Sequence, residues 1–240
     1  MPDLPLYLIL LACFVVMLAS AVQTAIGFGL ALIAVPLLLL IDTAMVPAPV
    51  VMMAFAQLLA SVFQYWHKVD WSVLKLAFIG RIPGTFVAMW MMSYFGETGV
   101  KLFVGLAVLG AVVISLFKIT AEPNKRNHLY AGFFCGITGT TSGIGGPPIA
   151  LLYQNQTGDV IRANLSGFFL VGSVISLIGM GVVGFVTVQS WIYAALFLPS
   201  TLLGVVLGHK LKSYLKPTFM RPAILSLCSA SAVAVILTTI

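Results

Sequence analysis

The chain has 240 residues, 61% of them hydrophobic and only 8% charged, with a mean hydropathy of +1.13. A soluble domain of this length needs a charged surface of roughly a quarter of its residues, and a transmembrane β-barrel shows alternating segments of about ten residues, which leaves an all-α polytopic membrane protein. The net charge of +6 does not mark a nucleic-acid partner, because the cations gather in short loops, Lys118 to Arg126 and His209 to Arg221, where they read as topology signals.

From the N-terminus, Leu6 to Met17 followed by Ala19-Ser20-Ala21 imitates a secretory signal with a small-residue cleavage site. The stretch before it carries Asp3 and no Lys or Arg, so an uncleaved first helix is expected. That helix opens segment 5–41, which is interrupted by Gln23-Thr24-Ala25-Ile26-Gly27-Phe28-Gly29. Apolar runs of bilayer length follow at 46–66, 73–92 and 100–119, then a linker, 120–127, with Glu122-Pro123-Asn124, Lys125 and Arg126. Segment 128–156 is interrupted in its turn by Thr140-Thr141-Ser142-Gly143-Ile144-Gly145-Gly146. Runs at 163–185, 191–209 and 219–240 complete the chain.

Loops 67–75, 118–128 and 209–221 hold most of the cations and 93–99 and 186–190 hold none, so the first group is expected in the cytoplasm of a bacterial-type inner membrane. Counting crossings from there places linker 120–127 and Arg162 inside and both termini outside. Segment 128–156 then begins and ends on one side. Its 29 residues make about 43 Å of helix, against roughly 60 Å for two passes through the hydrocarbon core, so a re-entrant or broken hairpin reaching past the midplane is expected. The same logic gives a hairpin at 5–41. Each half, 1–119 and 128–240, therefore has one hairpin and three transmembrane helices. Three is odd, so the halves are expected to enter from opposite faces as an inverted repeat. An offset of 117 pairs Thr24 with Thr141, Gly29 with Gly146 and Asp42 with Asp159, and an offset of 116 pairs Pro83 and Thr85 with Pro199 and Thr201.

In lipid a helix is broken only where its freed backbone groups are buried in protein or line a wet cavity, and a matched pair of breaks marks the centre of many transporters. The half-helices that begin near Gly29 and Gly146 aim their first N–H groups and positive dipole ends inward, which favours an anion. Gln23, Thr24, Thr140, Thr141 and Ser142 add neutral polar groups, and Gly27, Gly29, Gly145 and Gly146 let the backbone approach a ligand. The competing reading is that small residues merely allow close helix packing. Arg81 lies nine residues into its span, about 13 Å deep, where snorkelling is difficult and an unpaired charge costs at least about 2.5 to 3.5 kcal/mol. No carboxylate lies at that depth, so an anionic substrate or backbone carbonyls must satisfy it. Gln57 and Gln64 either line a path or bond a neighbouring helix; Asn164 and Ser166 are candidates for an inner vestibule; Gln154, Asn155 and Gln156 read as a solvated helix end, and Asp42 and Asp159 as caps. His67, His128 and His209 sit at span ends. Cys13, Cys135 and Cys228 lie in apolar runs without metal or disulfide spacing, so no cofactor and no metal is expected.

The hinge TAIGFGLALIAVPL at 24–37, its counterpart TSGIGGPPIALLY at 141–153 and the IPG at 82–84 resemble the TauE/SafE family of sulfite-exporter-like membrane permeases over essentially the whole chain. The resemblance implies an inverted repeat that transports, often exports, sulfite, sulfonates or other small sulfur-containing or organic anions, with residues 24–29 and 141–148 around the anion. Phe28 stands where many relatives have a small residue, which narrows the site from one side. The expected function is thus a non-enzymatic secondary transporter working by alternating access around a midplane site, with the small anion and membrane lipid as partners. A homodimer, uptake in place of export, and a cysteine-dependent sulfur-handling protein stay open.

Overall fold

The computed structural model describes residues 4–27, 29–116, 122–153, 158–211, 226, 229–237 and 239. Its helices are α1 (Leu6–Ile26), α2 (Leu30–Leu39), α3 (Ala48–Tyr65), α4 (Trp71–Leu116), α5 (Lys125–Thr141), α6 (Gly146–Tyr153), α7 (Gly158–Val182) and α8 (Val188–Leu211), with short 3₁₀ turns at Thr43–Met45 and Trp66–Lys68. Residues 226, 229–237 and 239 are helical as well, and the remainder of the expected last span, 219–240, lies outside the described residues. Among the described residues, five helices are long and apolar enough to cross a membrane. Large side chains such as Phe63, Phe86, Trp90 and Ile178 point outward, whereas buried positions are rich in Ala, Val, Ser and Gly. That inside-out size pattern is what helices packed in lipid adopt, since close approach of backbones replaces a hydrophobic driving force.

Each interrupted segment folds as a long helix followed by a short one. In the first, α1 has 21 residues and α2 has 10; in the second, α5 has 17 and α6 has 8. At about 1.5 Å per residue α1 alone is long enough to cross the core, while α2 and α6 return only part of the way. The breaks are made by glycines in the left-handed region, Gly27 (φ 103°) and Gly29 (φ 132°) in the first and Gly143 (φ 73°) in the second, a conformation that costs other residues a Cβ clash.

The structure departs from the expected pattern at 93–99, where no loop forms. The two expected spans run together as α4, 46 residues broken only at Gly96 (φ 59°, ψ −155°). A straight helix of that length would be about 69 Å, more than twice the hydrocarbon thickness, so the chain must turn, and glycine permits a turn within one residue. At the linker, α5 begins at Lys125, earlier than 128, because Asn124 caps it: its Oδ1 accepts from Asn127 N at 2.8 Å.

The buried side chains form two clusters. One gathers α1, α2, α3, α8 and the second arm of α4, together with Met92 from the first arm, Ile144 from the second hinge and Met180 from the end of α7; the other gathers the start of α4 with α5, α6 and the first half of α7. The most extensive helix contacts are α4 on α5 and α1 on α8, followed by α3 on α7, with α4 on α7 and α3 on α8 smaller and similar in extent.

Candidate functional site

The α4–α5 seam positions the only charged side chain among the buried polar residues described, Arg81. Gly80 and Gly84 on α4 face Gly132 and Gly136 on α5. A Cβ at Gly80 would run into the Leu129 carbonyl, one at Gly84 into the Phe133 carbonyl, one at Gly132 into the Ala77 carbonyl and one at Gly136 into the Arg81 carbonyl. The two backbones therefore touch, the close approach that paired small-xxx-small motifs allow. Gly84, three residues after Arg81, thus packs α4 directly on α5.

From this seam the Arg81 side chain reaches α7. Its Nη2 donates to the Gly172 carbonyl and to Ser176 Oγ, both at 3.0 Å, and its Cζ lies 5.2 Å from the centre of the Phe168 ring, which stacks on Phe78. Gly172 is the floor under the guanidinium: a Cβ there would fall 2.6 Å from Nη1 and 2.7 Å from Nε. The group is 3% exposed, and its Nε and Nη1 have no hydrogen-bond partner. Leaving charged donors buried and unsatisfied costs more than the roughly 1–3 kcal/mol of a neutral group, so an acceptor that reached these nitrogens would be favoured.

Arg81 is one of the residues that line a cavity of about 60 Å³ between the two hinges. Gln23, Gly29, Leu32, Val51 and Leu58 line it from one side, and Arg81, Gly139, Gly145, Gly146, Phe169, Ser173 and Ser176 from the other. At about 15 Å³ per water-sized centre, it holds about four such groups, the size of a small oxyanion. Of the half-helix donors, Leu30 N is already capped by Gln23 Oε1 at 2.9 Å. Pro147 and Pro148 have no N–H, so the amides that α6 can offer here are those of Gly145 and Gly146.

The structure thus brings Gln23, Gly29, Arg81, Gly145 and Gly146 to one cavity and leaves the other expected residues outside its lining. Thr24 Oγ1 donates to Ser20 O and receives Gln57 Nε2 at 2.8 Å, and Gln57 Nε2 also reaches Ser20 O, so Gln57 ties α3 to α1 and does not line a path. Thr140 Oγ1 pairs with Ser176 Oγ at 2.9 Å and supports the residue that holds Arg81. Thr141 and Ser142 bond back to Ile137 O and Thr138 O within α5, the habit of hydroxyls in apolar helices. Gly27 packs on Arg162. Asn164 Oδ1 accepts from Asp70 N at 2.8 Å and joins the starts of α4 and α7, and Ser166 is buried in α7. Asp42 caps the 3₁₀ turn through Ala44 N and receives the Tyr193 hydroxyl. Phe28, Gln154, Asn155, Gln156 and Cys228, and the side chains of Gln64 and Asp159, lie outside the described residues.

Sequence reasoning missed Gly172, Ser173 and Ser176. The signal was present as Gly172-x-x-x-Ser176, a small-residue spacing on one face of α7 opposite an unpaired arginine. A larger cavity of about 400 Å³ lies between α4, α5 and α6, but Ala, Leu, Pro and aromatic side chains dominate its walls and no charged residue lines it, so it offers an anion no counter-charge. Among the described residues no three His, Cys, Asp or Glu side chains come together as metal ligands.

No curated protein and no solved structure matches the chain. The family model described as sulfite exporter TauE/SafE matches residues 12–235, nearly the full length, and takes in both hinges, Arg81 and the α7 cradle. The family consists of membrane transporters of sulfite and related sulfur compounds. The chain belongs to the sulfite exporter TauE/SafE family.

Proposed function

We propose that this chain is a secondary transporter that exports a small sulfur-containing or organic oxyanion, bound against Arg81 in the cavity between the two glycine hinges. The observation that carries the reading is a buried guanidinium, that of Arg81, with two nitrogens lacking a partner, on a residue that lines a cavity of oxyanion size. An oxyanion there supplies the missing acceptor and the missing counter-charge together, and a charge-assisted pair is the strong kind of hydrogen bond.

Alternating access is supported by the placement of the cavity where the two glycine hinges meet, with residues of both clusters around it. Matched contacts, α4 with α5 against α1 with α8 and α4 with α7 against α3 with α8, fit an inverted repeat in which the clusters rock around the anion. In the charge-based orientation the starts of α4, α5 and α7 are cytoplasmic. None of the described Asp or Glu side chains is buried, so in this reading the driving force is the inside-negative potential, about 2.3 kcal/mol per 100 mV for a monovalent anion leaving the cell.

Sulfite efflux from proteoliposomes tests the reading. Arg81→Gln should cut the rate at least about tenfold, the effect of losing 1.4 kcal/mol of binding, while elution on size exclusion stays normal. Undiminished efflux from that variant would overturn it, and loss of efflux on Cys135→Ala would favour the thiol-dependent alternative.

A further inference from the structure

The polar side chains that line the anion cavity are those of Gln23, Arg81, Ser173 and Ser176. What each has left to offer follows from the bonds it already makes. Leu30 N can only donate, so the Gln23 amide turns Oε1 toward it, and Nε2 is left as a donor with no partner among the described residues. Arg81 keeps Nε and Nη1, both donors. Ser176 Oγ is taken by Arg81 Nη2 and Thr140 Oγ1. Ser173 is the exception. Its Oγ donates to the Leu170 carbonyl at 2.7 Å, so its one proton is spent and what remains is an acceptor. Phe169, Ser173 and Ser176 recur on one face of α7, and Ser173 stands about 4.5 Å along the helix from Ser176, which holds the guanidinium.

Charge limits the ligand independently. Arg81 is the one charged residue of the lining, and the other walls include Leu32, Val51, Leu58, Ile144 and Phe169. A monoanion is neutralised by that single guanidinium. A dianion would leave one negative charge uncompensated among apolar side chains, the costliest kind of burial.

We infer that the cavity selects a singly protonated oxyanion, for sulfite the hydrogen sulfite ion in its O–H form, with Ser173 Oγ accepting the ligand's own hydroxyl while Arg81 and the Gln23 amide donate to its bare oxygens. The inference rests on the reading of the Arg81 cavity as the anion site and names the protonation state that site takes. Ser173 is thereby a specificity-determining residue. Each anion exported carries one negative charge and takes its proton with it, so the proton moves on the substrate and no protein carboxylate is needed. The lining contains no Asp, Glu, His, Lys, Tyr or Cys side chain from any of its helices, and the titratable group coupled to Arg81 is the buried Cys135 thiol on α5. Any dependence of binding on pH near neutrality therefore belongs to the ligand.

Calorimetric titration of detergent-purified protein, with oxygen excluded, tests this with sulfite, selenite, chlorate and sulfate as probes. The apparent Kd for sulfite should weaken about tenfold for each pH unit above the ligand's second ionisation, following its protonated fraction. The selenite curve should have the same shape displaced to higher pH, because hydrogen selenite is the weaker acid. Chlorate, a pyramidal monoanion without a hydroxyl, should show no pH dependence, and sulfate should not compete. Cys135→Ala should leave these profiles in place. Ser173→Ala should weaken sulfite at least about fivefold and chlorate less than about twofold. Sulfite and selenite curves that superpose in pH, sulfite binding that tightens as pH rises, or sulfate that competes on equal terms would overturn the inference, as would equal losses of sulfite and chlorate in Ser173→Ala. The pH profiles need no variant, so they decide the matter even if Ser173→Ala fails to fold. Failure of the underlying site has its own signature, sulfite binding unaltered in Arg81→Gln.

Discussion

Replacing Gly172 by alanine adds one methyl group at the floor of the arginine cradle. The new Cβ would lie 2.6 Å from Arg81 Nη1 and 2.7 Å from Nε, closer than any non-bonded carbon and nitrogen can approach. What gives way is the end of a long, flexible side chain, so α7 and its neighbours need not shift and the protein should still fold. The guanidinium, however, must leave its bonds to Gly172 O and Ser176 Oγ and its seat on Phe168. Losing one bond between a charged donor and its partner is worth about 1.5–3 kcal/mol, and an anion aligned by that guanidinium loses a comparable amount. At 1.4 kcal/mol per decade, sulfite affinity should fall about 10- to 100-fold. Titrating sulfite against the melting temperature of detergent-purified protein reads the affinity, and size exclusion reads the fold. Wild-type affinity in a well-folded Gly172→Ala protein would refute the claim that α7 seats the guanidinium for the anion.

Gly84→Ala should behave in the opposite way. Its Cβ meets the Phe133 backbone carbonyl, which cannot swing aside, so the α4–α5 seam must open at a cost of about 1–3 kcal/mol or more, seen as a lower melting temperature with or without sulfite. Gln57→Leu removes the link from α3 to Ser20 O and Thr24 Oγ1 but also an unsatisfied Oε1; about 1 kcal/mol or less of stability should be lost, with sulfite efflux unchanged within a factor of about two. The Asp70 carboxyl is held below its usual pKa chiefly by the Ser72 hydroxyl, with the Val73 and Ser72 amides adding to the effect and burial opposing it. A depressed folded pKa gives stability that is present above the unfolded carboxylate value and is lost as pH falls through the folded one, so the melting temperature should drop on acidification below about pH 4 less in Asp70→Asn than in the native chain.

The helical membrane class was legible because hydropathy over twenty residues reports the solvent directly, and the two breaks were legible because glycine clusters interrupt otherwise unbroken apolar runs. Arg81 announced itself as a lone charge in such a run. Its surroundings did not. Gly172 and Ser176 are small residues like many others in these helices, and only the crossing of α7 over α4 distinguishes a cradle from ordinary packing. Arg162 read as a loop cation because its reach to Ala25 spans 137 positions of sequence. Gln57 looked the same whether its amide faced a path or a helix, and the choice was made by Ser20 and Thr24 on α1. At 93–99 the apolar run weakened over seven residues and suggested a loop, yet one glycine with a positive φ suffices to turn the chain.

Selenite, the heavier analogue of sulfite, allows the anion to be located directly by anomalous diffraction from crystals soaked with it. The account predicts a single strong peak within hydrogen-bonding distance of Arg81 Nη1 or Nε, between Gly145 and Gln23. A peak bound elsewhere in the protein, with both of those nitrogens still unpartnered, would contradict it.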